Sequence, residues 1–268
     1  MTGSCESKLT ANFLNDYLQN TCILDWTFID GKYETKKPDG FNQFIQELPL
    51  LVEEIKCKGK FVYFSLFNEN GHFYIMHSLK KTGRWQKKFD DDCKCIIEID
   101  KKDPLWFSSD DDFYIFKFTN RIDIINKHIE ELGPDILNPR EFTLNKMKDI
   151  IDKNKRKNIT SILMCQDIIS GISNYIKCES LYYSKISPFR KAYSLSENDI
   201  EKLYQGIVYV SRCSYNYGGI SSKYTTDKEI DSIVGYFDDQ LKIFENKKAK
   251  VSDTSDGLIT YWDPKIQK

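Results

Sequence analysis

The sequence predicts an α+β protein, with an antiparallel sheet or sandwich in its first half and helices in its second. Short runs rich in branched and aromatic residues occupy the chain up to residue 118, with turns rather than helical stretches between them, and from Arg121 the apolar period becomes helical. At 268 residues, 40% hydrophobic and 14% aromatic, the chain has the length and composition for one large domain or two ordinary ones with real cores.

Leu9, Phe13, Leu14, Tyr17 and Leu18 share one face of a first amphipathic helix, which Ser4 or Ser7 is placed to cap. Strands are expected at Ile23–Ile29, Phe61–Phe67, Phe73–His77, Cys95–Ile99 and Tyr114–Phe118, separated by turns such as Asn68-Glu69-Asn70-Gly71. The helical period that begins after Arg121 runs to Leu132, where Gly133-Pro134 stops it. A boundary falls between Pro139 and Asn158. Helices follow at Ile159–Gln166 and Tyr175–Tyr183, then a Ser187-Pro188 turn, then a helix from about Asp199 to Arg212 opened by a capping box of Ser196 and Asp199. Ser252–Gly257 lies between two short strand-like segments and reads as a hairpin turn.

Lys and Arg total 39 against 40 Asp and Glu, a net charge of -1 that predicts no whole-molecule attraction to polyanions. The distribution is uneven. Residues 151–213 hold ten Lys/Arg and six Asp/Glu, whereas residues 1–150 hold twenty-one and twenty-five, so a nucleic-acid face is expected in the middle segment. The run from Asp152 to Asn158 reads as a solvated lead-in to a helix.

Eight scattered cysteines include Cys93-x-Cys95 but no Cys-x-x-Cys pair, and His72, His77 and His128 lack metal-ligand spacing. No metal site and no cofactor are expected. With no long apolar run and no signal-peptide pattern, the thiols read as reduced residues of an intracellular protein with no membrane partner.

One segment is more specific. Gln166-Asp-Ile-Ile-Ser-Gly171-Ile-Ser-Asn174-Tyr175, followed by Glu179-Ser-Leu181 and Ser187-Pro188, resembles the helix-two-turn-helix signature of the formamidopyrimidine-DNA glycosylase / endonuclease VIII family. Its physical sense is a tight glycine turn that offers backbone N–H groups and an Asn amide to a phosphate. Lys58-Gly59-Lys60-Phe61, His77–Gly83, Leu132-Gly133-Pro134-Asp135 and Thr260-Tyr261-Trp262-x-Pro264-x-x-Gln267 are similar to further family segments, in the family's order. The look is nearest to the zincless-finger members of large DNA viruses. The resemblance implies a two-sheet antiparallel β-sandwich with flanking helices over 1–138, a helix-two-turn-helix domain over 139–220 and a zincless β-hairpin finger within 221–268, together forming a cleft for DNA.

It also implies roles. In the family the N-terminal amine attacks the sugar and an adjacent glutamate moves protons; here those positions are Thr2 and Gly3. A Thr2 amine with a pKa of about 8 is still a nucleophile. Loss of the carboxylate typically costs about 10²- to 10⁴-fold. Glu6 matches the family's second carboxylate and reads equally as a first-turn glutamate favouring the helix dipole. Lys60 and Asn174 match the phosphate ligands, Leu258 stands where an arginine clamps that phosphate, and Lys81, Asp111 and Phe113 stand where Met, Arg and Phe fill the gap left by an everted base. Only the phenylalanine is kept, and the carboxylates of Asp110-Asp111-Asp112 are expected either to repel a duplex or to be a solvated turn.

Three readings follow: a catalytically degenerate relative that binds DNA or a protein partner; a glycosylase/abasic-site lyase using Thr2, Glu6 and Lys60, with Lys60, Asn174, Phe113 and Lys81 on the DNA; or a structural protein of a viral or nucleoprotein assembly. Abasic and single-stranded DNA are the expected ligands of the first two. Nucleus, viral factory and virion are the settings these readings allow.

Overall fold

The computed structural model describes residues 3–80, 82–220 and 237–268. They fall into two compact units, one of Glu6–Glu130 and one of Gly3–Cys5, Glu131–Ile220 and 237–268. Thr2 and Lys81 lie outside the described residues.

The strand unit takes most of helix α1 (Ser4–Leu18), then strand β1 (Cys22–Phe28), helices α2 (Lys32–Thr35) and α3 (Phe41–Gln46), and strands β2 (Leu50–Lys58), β3 (Phe61–Asn68), β4 (Gly71–Ser78), β5 (Arg84–Gln86), β6 (Cys93–Ile99), β7 (Leu105–Ser108) and β8 (Ile115–Thr119). All eight strands belong to one antiparallel sheet in the order β5-β7-β6-β1-β2-β3-β4-β8. The two layers expected of a sandwich are therefore halves of one continuous ladder. Register shifts at Ile23/Asp25, Val52/Glu54 and Cys93/Cys95 mark bulges, and a bulge bends its strand and increases local twist. The bent sheet brings its edges face to face: Trp26 of β1 lies 5.8 Å from Trp85 of β5 and 5.4 Å from Phe116 of β8, ring centre to ring centre.

His77 belongs to this core. It stacks on Phe116 at 4.1 Å, its Nδ1 donates to the Ile115 carbonyl at 3.0 Å, and its Nε2 accepts from Trp85 Nε1 at 3.2 Å. Burial pushes its pKa down to about 3, against the bond to Ile115, so the ring is neutral. The unit ends in helix α4 (Ile122–Glu131), which stops before Gly133-Pro134 as the period predicts. Ser4 and Ser7 do not play the capping part expected of them at α1: the Ser4 hydroxyl donates to Asp135 Oδ1 at 3.2 Å, and the buried Ser7 hydroxyl has no partner among the described residues.

The helical unit holds α5 (Leu144–Lys153), α6 (Ile159–Met164), α7 (Asn174–Tyr183) and α8 (Glu197–Asn216), followed by a hairpin of β9 (Lys250–Asp253) and β10 (Ile259–Trp262). Thr143 caps α5, which buries Met147, Ile150 and Ile151, so the stretch expected to be a boundary contains a packed helix. The Asp152–Asn158 run closes that helix and leads into the next, as expected. Asn158 caps α6, and the capping box of Ser196 and Asp199 opens α8 with both reciprocal bonds in place. No helix among the described residues is long and apolar enough to cross a membrane.

Candidate nucleic-acid interface

In the strand unit, Lys58 pairs with Phe61 across the β2–β3 hairpin, which leaves Gly59 and Lys60 as a two-residue loop. Gly59 has φ +56° while Lys60 stays at negative φ, the pattern of a type II′ turn, which wants glycine first. Lys60 is thereby held at a hairpin tip, yet it is only partly exposed. Burial pushes its ammonium down to about 8, against the pull of the Glu6 carboxylate and with the help of Lys80. No described side chain forms an ion pair with it. Glu6 is 1% exposed, so the structure places this carboxylate inside the protein and within the field of Lys60. Two of the residues singled out by sequence are thus brought together.

Lys80, which sequence reasoning passed over, sits at φ +57°, and its charge bears on both Lys60 and Lys32. The signal was its place in the His77–Gly83 segment. Lys32 itself donates through Nζ to the Tyr114 carbonyl.

The acidic turn is neither a bare repulsive patch nor a purely solvated one. Arg84 gathers Asp110 at 2.9 Å, Asp90 at 2.9 Å and Asp92 at 3.2 Å. Asp111 accepts from the Phe113 backbone at 3.0 Å, and Asp112 from the Lys32 backbone at 3.3 Å. Phe113, beyond this turn, is 60% exposed.

In the helical unit each motif residue has a structural task. Gln166 closes its own turn, accepting from Gly171 N at 2.8 Å and donating to the carbonyls of Met164 and Ile172 at 3.2 and 3.3 Å. Gly171 has φ +101°, and a Cβ there would stand 2.1 Å from Ser4 Oγ, so only glycine fits. Ser4 N in turn donates to the Gly171 carbonyl at 2.9 Å. Asn174 opens α7 and is 9% exposed; its Nδ2 donates to the Ile259 carbonyl at 3.0 Å. Its Oδ1 and the buried hydroxyls of Ser170 and Ser173 have no partner among the described residues. Buried polar atoms are normally satisfied, and the start of α7 is the positive end of its dipole.

Further along α7, Glu179 accepts from the backbone N–H groups of Lys242, Ile243 and Phe244 at 2.8–3.1 Å. Lys177, wholly buried, pairs with Asp256 of the hairpin turn at 2.7 Å. Gln267 closes the terminal motif by donating to the Ile186 carbonyl at 3.0 Å and accepting from Asp263 N at 2.8 Å. Leu258 is partly buried, and its carbonyl accepts from Thr254 Oγ1 at 3.0 Å. Among the described residues, no group of three His, Cys, Asp or Glu side chains is arranged to hold a metal ion.

This architecture, an antiparallel β-unit followed by a helix-two-turn-helix domain and a β-hairpin, is that of the DNA glycosylases of the formamidopyrimidine class. Residues 132–226 match the family model described as the formamidopyrimidine-DNA glycosylase H2TH domain. Through that domain the chain is similar to the formamidopyrimidine-DNA glycosylases. It is 32% identical over 152 residues to the formamidopyrimidine-DNA glycosylase of Prochlorococcus marinus subsp. pastoris, covering 54% of this chain and 51% of that one. To the enzyme of Prochlorococcus marinus strain MIT 9515 it is 28% identical over 270 residues, covering 94% and 84%. The chain spans about half the length of the first curated relatives it matches. The fold superposes on Lactococcus lactis Fpg bound to DNA with an oxidised pyrimidine, with a TM-score of 0.82 at 17% identity over 99% of both chains. For the Thermus thermophilus protein the TM-score is 0.80 at 19% identity, over 99% of this chain and 98% of that one.

Proposed function

We propose that this protein binds DNA and has lost most of the base-excision chemistry of its family. The observation that carries this reading is the contrast between Lys60 and Gly3. Lys60 is a partly buried ammonium with no ion-pair partner among the described residues, suited to a phosphate. Position 3, where the resemblance puts the proton-moving glutamate, has no side chain. The orphaned oxygens and dipole at the start of α7 support phosphate binding by the helical unit. Solved complexes of Lactococcus lactis Fpg with abasic DNA support DNA as the partner. Leu258 and Asp111, at positions where the resemblance puts arginines, support the loss of catalysis. In this reading the hairpin folds without a metal, as in the zincless-finger members, and the setting is a viral or nucleoprotein assembly.

A second reading rests on one observation: Glu6 is buried beside Lys60, so a carboxylate and an amine remain together. It makes the protein an abasic-site lyase whose nucleophile is the Thr2 amine. Borohydride trapping on abasic single- and double-stranded DNA separates the two, with the N-terminus checked by mass spectrometry. Degeneracy predicts DNA binding without a covalent adduct; an adduct that requires an unblocked Thr2 amine overturns it. DNA binding has its own test. The ammonium of Lys60 loses its charge as pH rises through about 8, so Lys60-dependent affinity fades between pH 7 and 9. In Lys60→Arg, which stays charged, that decline disappears.

A further inference from the structure

The end of α7 opposite Asn174 carries a second feature, about 14 Å away along the helix axis. There a groove of about 430 Å³ lies between α7 and α8, lined by Tyr183, Ser184, Lys185, Lys202, Gly206 and Tyr209. At its floor Gly206 lets α8 pack closely on α7: a Cβ would stand 2.9 Å from Ser184 Oγ and 3.0 Å from the Ser180 carbonyl. Its floor is rigid, since the buried Ser184 hydroxyl is bonded to the carbonyls of Ser180 and Lys202 at 2.5 and 3.2 Å.

The walls are aromatic. Tyr183 and Tyr209 lie 4.6 Å apart at 34° and are 52% and 49% exposed. The Tyr209 hydroxyl is held by Tyr183 and Cys213, which push its pKa up to about 12, so this hydroxyl keeps its proton at physiological pH. Lys185, at φ +59° in the turn after α7, and Lys202 of α8 bring two cations that form no ion pair with a described residue. Among the described residues no carboxylate lines the groove. A fixed aromatic face beside two unpaired ammonium groups matches a ligand with a flat ring and a phosphate.

We infer that this groove is a nucleotide-binding site, in which the base stacks on the Tyr183–Tyr209 pair and the phosphate lies against Lys185 and Lys202. The nucleotide is supplied either free in solution or as one unit of a single strand. The inference does not depend on the DNA interface proposed above, because it uses none of its residues.

The test uses the full chain, with dTMP and a bromodeoxyuridine-substituted oligo-dT strand as probes, in the unaltered protein and in a Lys60→Ala background. Photocrosslinks mapped by mass spectrometry to Tyr183 or Tyr209 are expected in both backgrounds. Tyr183→Ala/Tyr209→Ala is expected to lower probe affinity about tenfold or more, whereas Tyr183→Phe/Tyr209→Phe keeps most of it. Lys185→Glu/Lys202→Glu is expected to weaken binding as well and to flatten its salt dependence. Saturation by dTMP points to a free nucleotide; saturation by the strand alone points to a nucleic-acid chain. Crosslinks elsewhere, affinity unchanged in the Ala variants, or equal competition by a poly-glutamate peptide overturns the inference. Failure of duplex binding with these crosslinks intact overturns only the earlier reading.

Discussion

The strand unit buries aromatic rings against one another, whereas the helical unit buries charges among isoleucines. Around Trp26 stand Phe44, Phe64, Trp85, Phe116 and Phe118, with ring centres 5.4 to 6.4 Å away. The helical core is built on Ile136, Ile150, Ile151, Ile159, Ile162 and their neighbours. Into the same unit are folded Lys177, Glu179 and the side chain of Asp256. The ring contacts around Trp26 are edge-to-face, an arrangement worth about 0.5–1.5 kcal/mol per pair beyond the area buried. A hairpin of two four-residue strands cannot stand alone, so it takes its position from directional contacts on α7. A buried ion pair is a poor source of stability and a good specifier of one geometry.

That contrast can be broken at four places. Trp26→Ala removes the ring at the centre of the strand core and is expected to cost about 3–5 kcal/mol in urea unfolding, with little dependence on salt. A loss under about 1 kcal/mol would mean that the surrounding rings collapse into the space. Lys177→Ala leaves the Asp256 carboxylate buried without its partner and is expected to cost about 3–5 kcal/mol, read as faster amide exchange in β9 and β10. Lys177→Met/Asp256→Leu should recover most of that protection; if it does not, the pair supplies stability and not only geometry.

The third place is titration. The folded His77 takes a proton only near pH 3, whereas the unfolded side chain takes one near 6.5. The unfolded state therefore binds more protons in that window, and stability falls as pH drops through it by about 1.4 kcal/mol per unit. His77→Gln should flatten that slope, and an unchanged slope would assign acid sensitivity to carboxylates instead. The smallest expected effect is at the opening of α8: Ser196→Ala should cost about 1 kcal/mol, seen as a modest drop in Tm.

Local signals are legible in this sequence and long-range ones are not. The α8 capping box, the Gly133-Pro134 stop and the C-terminal hairpin each depend on residues within a few positions of one another, and all three stand where expected. Strand β2 escapes the sequence reading, because Glu53, Glu54 and Lys56 interrupt its apolar run and the bulge at Val52/Glu54 breaks its alternation. The short strands β5 and β7 gain their identity from pairing, not from composition. The same holds for the site. Lys60 and Asn174 are visible through a resemblance, but the fields of Lys80 and Glu6 on Lys60 arise only when the sheet brings those segments together. Nothing local to Lys177 says that a lysine will be wholly buried; its partner is 79 positions away.

The clasp on the first residues of α1 has a consequence for how the chain is made. Ser4 is bonded to Asp135 and to the Gly171 carbonyl, and Cys5 donates to the Ser211 carbonyl, 206 positions later. A ribosome adding about 5–20 residues per second needs roughly 10–40 s to deliver that last partner. Through that interval Cys5 has no native seat, although it emerges well before Ser211. A residue made long before α8 is thus secured only when α8 is present.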